Sequence, residues 1–143
     1  MDNLEEVLLE ILSKTYSKII YNEEKVLKEM MGDTLSIKEF HTLEVIYSAM
    51  TTKSNTAGTI ASRLGITLGT CTTNIDRLIA KGLVHKVKND NDRRVVYIEL
   101  TEKGIQIHFK HISLHKKIIS NALSKLSMSE KVSLMNTIEK MGI

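Results

Sequence analysis

The chain has 143 residues, 42% of them hydrophobic, and a net charge of +3, so one globular unit per subunit is expected. It has no proline, one cysteine and no apolar run near the ~20 residues that cross a bilayer, which excludes a disulfide scaffold and a membrane-spanning protein. The first ten residues, MDNLEEVLLE, are acidic where a secretion signal would be basic, and a reducing cytoplasm is the expected location.

In chain order, Leu4, Val7, Leu8, Ile11, Leu12, Thr15 and Ile19 recur at three- and four-residue steps, which predicts a long amphipathic helix. Met31-Gly32-Asp33-Thr34 interrupts it. Ser36 and Glu39 have the spacing of a capping box and open a helix from about Ile37 to Met50. After a polar loop, Thr51 to Asn55, a short helix through Ile60 and Leu64 ends at Gly65. Thr67 caps the next helix, which runs to about Lys81 and stops at Gly82. Leu83 to Lys88 and Val95 to Leu100 alternate as strands around the turn Asn89-Asp90-Asn91-Asp92. Thr101 caps a helix whose stripe holds Ile105, His108, Ile112, His115, Ile119 and Ala122. Ser127 and Glu130 open the last, lined by Val132, Met135 and Ile138.

That order predicts a mainly α fold of six helices with a small β-wing: a winged helix-turn-helix over residues 31–101, flanked by helical regions at 1–30 and 102–143. Terminal helices with more apolar surface than a small winged domain can cover predict a homodimer. Such a motif holds one helix in the major groove of DNA while the hairpin reaches the minor groove. Charge agrees. Residues 1–30 hold seven acids and four lysines, whereas six basic residues between Arg77 and Arg94 face only Asp90 and Asp92.

On the 67–81 helix, Cys71, Ile75 and Leu78 fall in one arc and must face the core. Thr67 at the cap and Gly69, Thr70, Thr72, Thr73, Asp76 and Arg77 then fall on the DNA side. Threonine hydroxyls can bond phosphates or base edges, and Gly69 lets the helix N-terminus come close to a phosphate. In the wing, Lys86 and Lys88 point to phosphate, and Arg93 and Arg94 at the tip suit a narrow minor groove. Asp92 would repel phosphate if free, so pairing with a neighbouring arginine is expected. With few long base-reading side chains, an A·T-rich, shape-read site follows.

His108, His111 and His115 share a helix face at i, i+3 and i+7, and His41 could approach from another helix. This spacing can ligate zinc, with Glu24 or Glu39 as added carboxylates; the alternative is packing or hydrogen bonding at a dimer interface. Cys71 reads as core packing, with redox sensing as the other reading. No phosphate-cradling glycine loop, nucleophile elbow or paired carboxylate frame supports an enzyme.

The strings Gly65-Ile66-Thr67, Ala80-Lys81-Gly82-Leu83-Val84, Asp92-Arg93-Arg94 and Leu100-Thr101-Glu102-Lys103-Gly104 resemble those of MarR-type transcriptional regulators over nearly the whole chain. The resemblance implies a triangular dimer of winged lobes with a ligand-responsive cleft, and no required cofactor. Ser36 to Thr42, Thr67 to Thr73 and the three histidines after Lys103-Gly104 are similar to the branch of that family that represses fatty-acid synthesis genes in low-GC Gram-positive bacteria, although Cys71 stands where valine is expected. That likeness implies a co-repressor, a long-chain acyl group on acyl carrier protein (acyl-ACP). Ile19, Ile20, Ile37, Val45, Ile112 and Ile119 could line an apolar tunnel for it, with His41 and His108 as further ligand-binding candidates. Lys103, Lys110, Lys116 and Lys117, in a segment without acids, could meet the acidic carrier. A zinc-responsive or phenol-responsive regulator is the other ligand reading.

Overall fold

The computed structural model describes residues 2–31 and 34–142. The helices are α1 (Asn3–Met31), α2 (Ile37–Thr51), α3 (Ala57–Leu64), α4 (Leu68–Ala80), α5 (Glu102–Leu123) and α6 (Met128–Met141), with strands β1 (Val84–Lys88) and β2 (Val96–Leu100) between α4 and α5. Two compact units are present, one ending at Gln106 and the other beginning at Ile107. The interruption predicted at residues 31–34 falls partly on residues 32 and 33, outside the described residues.

Local chemistry sets the helix ends of the first unit. Ser36 and Glu39 form the predicted capping box: the Glu39 N–H donates to Ser36 Oγ at 3.2 Å, and the Ser36 N–H to Glu39 Oε2 at 2.8 Å. Thr56 caps α3 and Thr67 caps α4, each accepting the N–H three residues on. Gly65 ends α3 at φ 65°, a left-handed conformation that glycine adopts without strain.

The core gathers Phe40, Leu43 and Ile46 of α2, Ile60 of α3, Ile75 and Leu78 of α4, and Leu83, Val84, Ile98 and Leu100 around the hairpin. Each fully buried side chain of this size contributes roughly 1.5–3 kcal/mol. The strands are antiparallel, with Val84 opposite Leu100 and Lys88 opposite Val96. A third segment joins them. Thr56 bridges to Tyr97, the Ile98 N–H donates to the Asn55 carbonyl at 2.7 Å, and buried Asn55 returns Nδ2 to the Ile98 carbonyl at 2.8 Å. The end of the predicted loop, Asn55, and the following Thr56 therefore extend the wing sheet.

Thr101 locks the far end of the hairpin. Its hydroxyl donates to the Gly82 carbonyl at 2.7 Å and accepts the Gly104 N–H at 3.1 Å. A Cβ on Gly104 would collide with the Leu83 carbonyl oxygen, so the first turn of α5 packs where only glycine fits.

In the second unit, Ser127 and Glu130 make the other predicted capping box, and Gly142 ends α6. Ile118, Ile119, Leu123, Met128, Val132, Met135 and Ile138 are all exposed in the single chain. On α1, the stripe from Leu4 to Ile19 is likewise exposed, and Leu27 is buried.

Candidate nucleic-acid interface

The inner stripe of α4 is Cys71, Ile75 and Leu78, all buried. Thr67, Gly69, Thr70, Thr72, Thr73, Asp76 and Arg77 are exposed around it. Thr67 and Thr70 share a hydrogen bond at 2.9 Å beside the helix N-terminus. Thr72 donates its hydroxyl to the Leu68 carbonyl at 2.9 Å, and Thr73 donates to the Gly69 carbonyl at 3.1 Å. Their oxygen lone pairs and methyl groups remain for a partner. Nothing lies within 4 Å of a Cβ built on Gly69, so the fold itself does not demand glycine there.

The wing tip is closed by short hydrogen bonds. The Asn91 N–H donates to Asn89 Oδ1 at 2.8 Å, and the Arg94 N–H to Asp92 Oδ1 at 3.0 Å. Asp92 thus engages its arginine neighbour through the backbone, where a side-chain pair was expected, and the turn presents Arg93 and Arg94 exposed. Lys88 is also exposed. Lys86 has a partner that spacing along the chain could not reveal: its Nζ lies 3.1 Å from Asp76 Oδ1, linking β1 to the outer face of α4. Between two exposed side chains such a pair stabilises by about 0–1 kcal/mol, so phosphate can displace it.

Arg63 was not among the sequence candidates. Its guanidinium donates to Ser48 Oγ at 3.3 Å, Thr52 Oγ1 at 3.4 Å and Ser54 Oγ at 3.1 Å. The available signal was an absence: no aspartate or glutamate stands between Glu44 and Asp76.

The ligand candidates are spread over both units. In the first, Ile19 and His41 are exposed, and Ile20, Ile37 and Val45 are half-buried. A cleft of about 510 Å³ there is lined by Leu27, Leu35, Ile37, Lys28, Lys38 and Lys81, among others, and of these candidates Ile37 alone lines it. In the second unit, His108 is buried and Ile112 half-buried, and a slot of about 530 Å³ runs along Ile119, Leu123, Lys116 and Lys131.

The metal candidates resolve differently. Glu39 is committed to Ser36 and to Lys81, whose Nζ is 2.6 Å from Glu39 Oε1, so it does not serve as the added carboxylate. His41 Nε2 is 3.8 Å from Glu23 Oε1, and the rings of His111 and His115 lie with centroids 4.1 Å apart and their planes tilted by 55°. The Cys71 thiol donates to the Ala57 carbonyl at 3.6 Å, and burial pushes its pKa up, which opposes thiolate chemistry.

Residues 35–96 match the MarR family. YkoM of Bacillus subtilis, an uncharacterized HTH-type transcriptional regulator, is 34% identical over 105 residues, 73% of this chain and 66% of that protein. YwhA of the same organism, also an uncharacterized HTH-type transcriptional regulator, is 30% identical over 71 residues, 50% of this chain and 51% of that protein. The chain thus spans just under two thirds and about half of these relatives. Streptococcus pneumoniae FabT in complex with DNA matches with a TM-score of 0.83 at 30% identity, covering 96% of this chain and 94% of that one. Staphylococcus aureus MepR bound to ethidium bromide shares the fold, with a TM-score of 0.71 at 22% identity over 90% of this chain and 92% of that one. Among the described residues, no helix is long and apolar enough to cross a membrane.

Proposed function

Because the chain belongs to the MarR family, we propose that it is a homodimeric transcriptional repressor of fatty-acid synthesis genes, with long-chain acyl-ACP as co-repressor. The likeness to FabT in its DNA-bound form, over nearly the full length of both chains, carries the DNA half of this reading. The motifs at residues 36–42 and 67–73 support the target genes.

Each α4 enters a major groove with Thr72 and Thr73 toward the bases, and each Arg93–Arg94 tip reaches the flanking minor groove. A two-fold dimer calls for a pseudo-palindromic site, and the short polar face of α4 for A·T-rich sequence read largely by shape. The apolar slot at Ile119 and Leu123 suits part of an acyl chain, and the acid-free segment 103–117 suits an acidic carrier. Acyl binding favours the lobe spacing that fits DNA, so end product tightens repression.

A second reading rests on the close approach of the His111 and His115 rings on α5, which could supply two ligands to zinc. One titration separates the two. Fluorescence anisotropy on a palindromic duplex from a fatty-acid synthesis promoter is run with acyl-ACP, unacylated carrier, zinc or chelator. Tightening by acyl-ACP alone is the expected result. A response to zinc alone transfers the regulation to the histidines, and indifference to all four discards both effectors.

A further inference from the structure

The surface from the second half of α2 through α3 to the middle of α4 carries an unusual charge pattern. From residue 45 to residue 75 there is no aspartate or glutamate, while Lys53 and Arg63 supply two cations and serines and threonines recur throughout. Three of those hydroxyls, Ser48, Thr52 and Ser54, converge on the Arg63 guanidinium and tie the last turn of α3 to the end of α2 and the loop that follows it. Thr52 and Ser54 are themselves linked at 2.7 Å, so the frame is connected.

Between them in sequence sits Lys53, exposed and at φ 52°. A non-glycine residue in the left-handed region is costly to hold, and such residues collect at functional turns. The same segment is tied to the wing through Thr56 and Tyr97, and Thr56 opens α3, the first helix of the helix-turn-helix. In such motifs the first helix crosses the DNA backbone, and Arg, Lys, Ser, Thr and helix N-termini are the groups that hold phosphates.

We propose that Arg63 in its Ser48–Thr52–Ser54 frame, together with Lys53, is a backbone-phosphate clamp on duplex DNA, separate from α4 and the wing tip. It rests on the DNA-binding reading above. The clamp fixes register on the duplex and carries no base preference. The hydroxyls pre-order the guanidinium, which leaves part of its fork for a phosphate oxygen.

The test uses the full chain and a palindromic duplex recovered from random DNA by selection on the wild-type protein. Recovery of no duplex would remove the DNA-binding reading and the clamp with it. Given a duplex, affinity is measured across salt concentrations for wild type, Arg63→Gln and Lys53→Gln, with thermal melting as a check on folding. Loss of one phosphate contact per subunit lowers the slope of log K against log salt by about 0.9 per subunit. The clamp predicts that fall for Arg63→Gln, with the ranking of selected sites unchanged. Because Arg63 also joins α2 to α3, the exposed Lys53→Gln variant is the independent arm, and it must lower the slope as well. An unchanged slope in either variant overturns the clamp even if affinity falls, as does a changed ranking of sites.

Discussion

The hydroxyl protons of Thr72 and Thr73 are spent on backbone carbonyls within α4. What these side chains offer a base is then an acceptor oxygen and a methyl group, suited to the amino edges of adenine and cytosine and to the thymine methyl. Thr73→Val keeps the shape and the methyl and removes the acceptor. It should weaken the preferred site about tenfold, roughly 1.4 kcal/mol, while barely affecting random DNA; equal loss on both duplexes would place Thr73 on phosphate. Glu39 makes a prediction in pH. Burial pushes its carboxyl pKa up, but the Lys81 ammonium and the Ser36 N–H and hydroxyl outweigh burial and hold it below the usual 4.5. A carboxylate depressed in the folded state contributes stability above its unfolded pKa and loses it as pH falls through the folded pKa. Glu39→Gln should therefore destabilise at pH 7, with the gap to wild type closing below about pH 4.5. Urea unfolding at pH 7 and pH 3 checks this, and a gap as large at pH 3 as at pH 7 would mean ionisation plays no part.

At the scale of elements, the helices were legible wherever their ends are set by residues three positions apart. Ser36 with Glu39 and Ser127 with Glu130 are complete capping boxes in sequence and in structure. The inner face of α4 was legible for a similar reason, since helical periodicity alone puts Cys71, Ile75 and Leu78 on one side. Contacts between elements were not. The pairing of Asn55 and Thr56 with β2 joins residues about forty positions apart through backbone groups of β2, which leave no side-chain pattern in that strand. Lys86 with Asp76 depends on how a strand lies over a helix, and the Arg63 frame on how α2 meets α3. Gly104 shows the same limit: its string is readable, but the carbonyl it accommodates is not. Gly104→Ala should cost on the order of 1–3 kcal/mol through overpacking, measured by urea unfolding. A neutral result would mean that α5 can shift away from Leu83. Gly69→Ala, by contrast, meets open space, so it should preserve or raise stability while weakening DNA binding. Undiminished affinity would remove Gly69 from the contact face.

For the whole molecule, the exposed apolar residues on α1, α5 and α6 are the main feature left without a partner in the single chain. Covering them in a dimer links folding to association, so the melting temperature should rise with protein concentration. A midpoint independent of concentration, with a monomeric mass in sedimentation, would remove the dimer and with it the need for a palindrome. Cys71 is the chain's sole thiol, fully enclosed and held protonated. The wild-type background is therefore silent toward maleimide dyes and nitroxide labels under native conditions. A single Asn91→Cys change at the wing tip would take a label alone, and in a symmetric dimer the two spins would act as a molecular ruler between the wings.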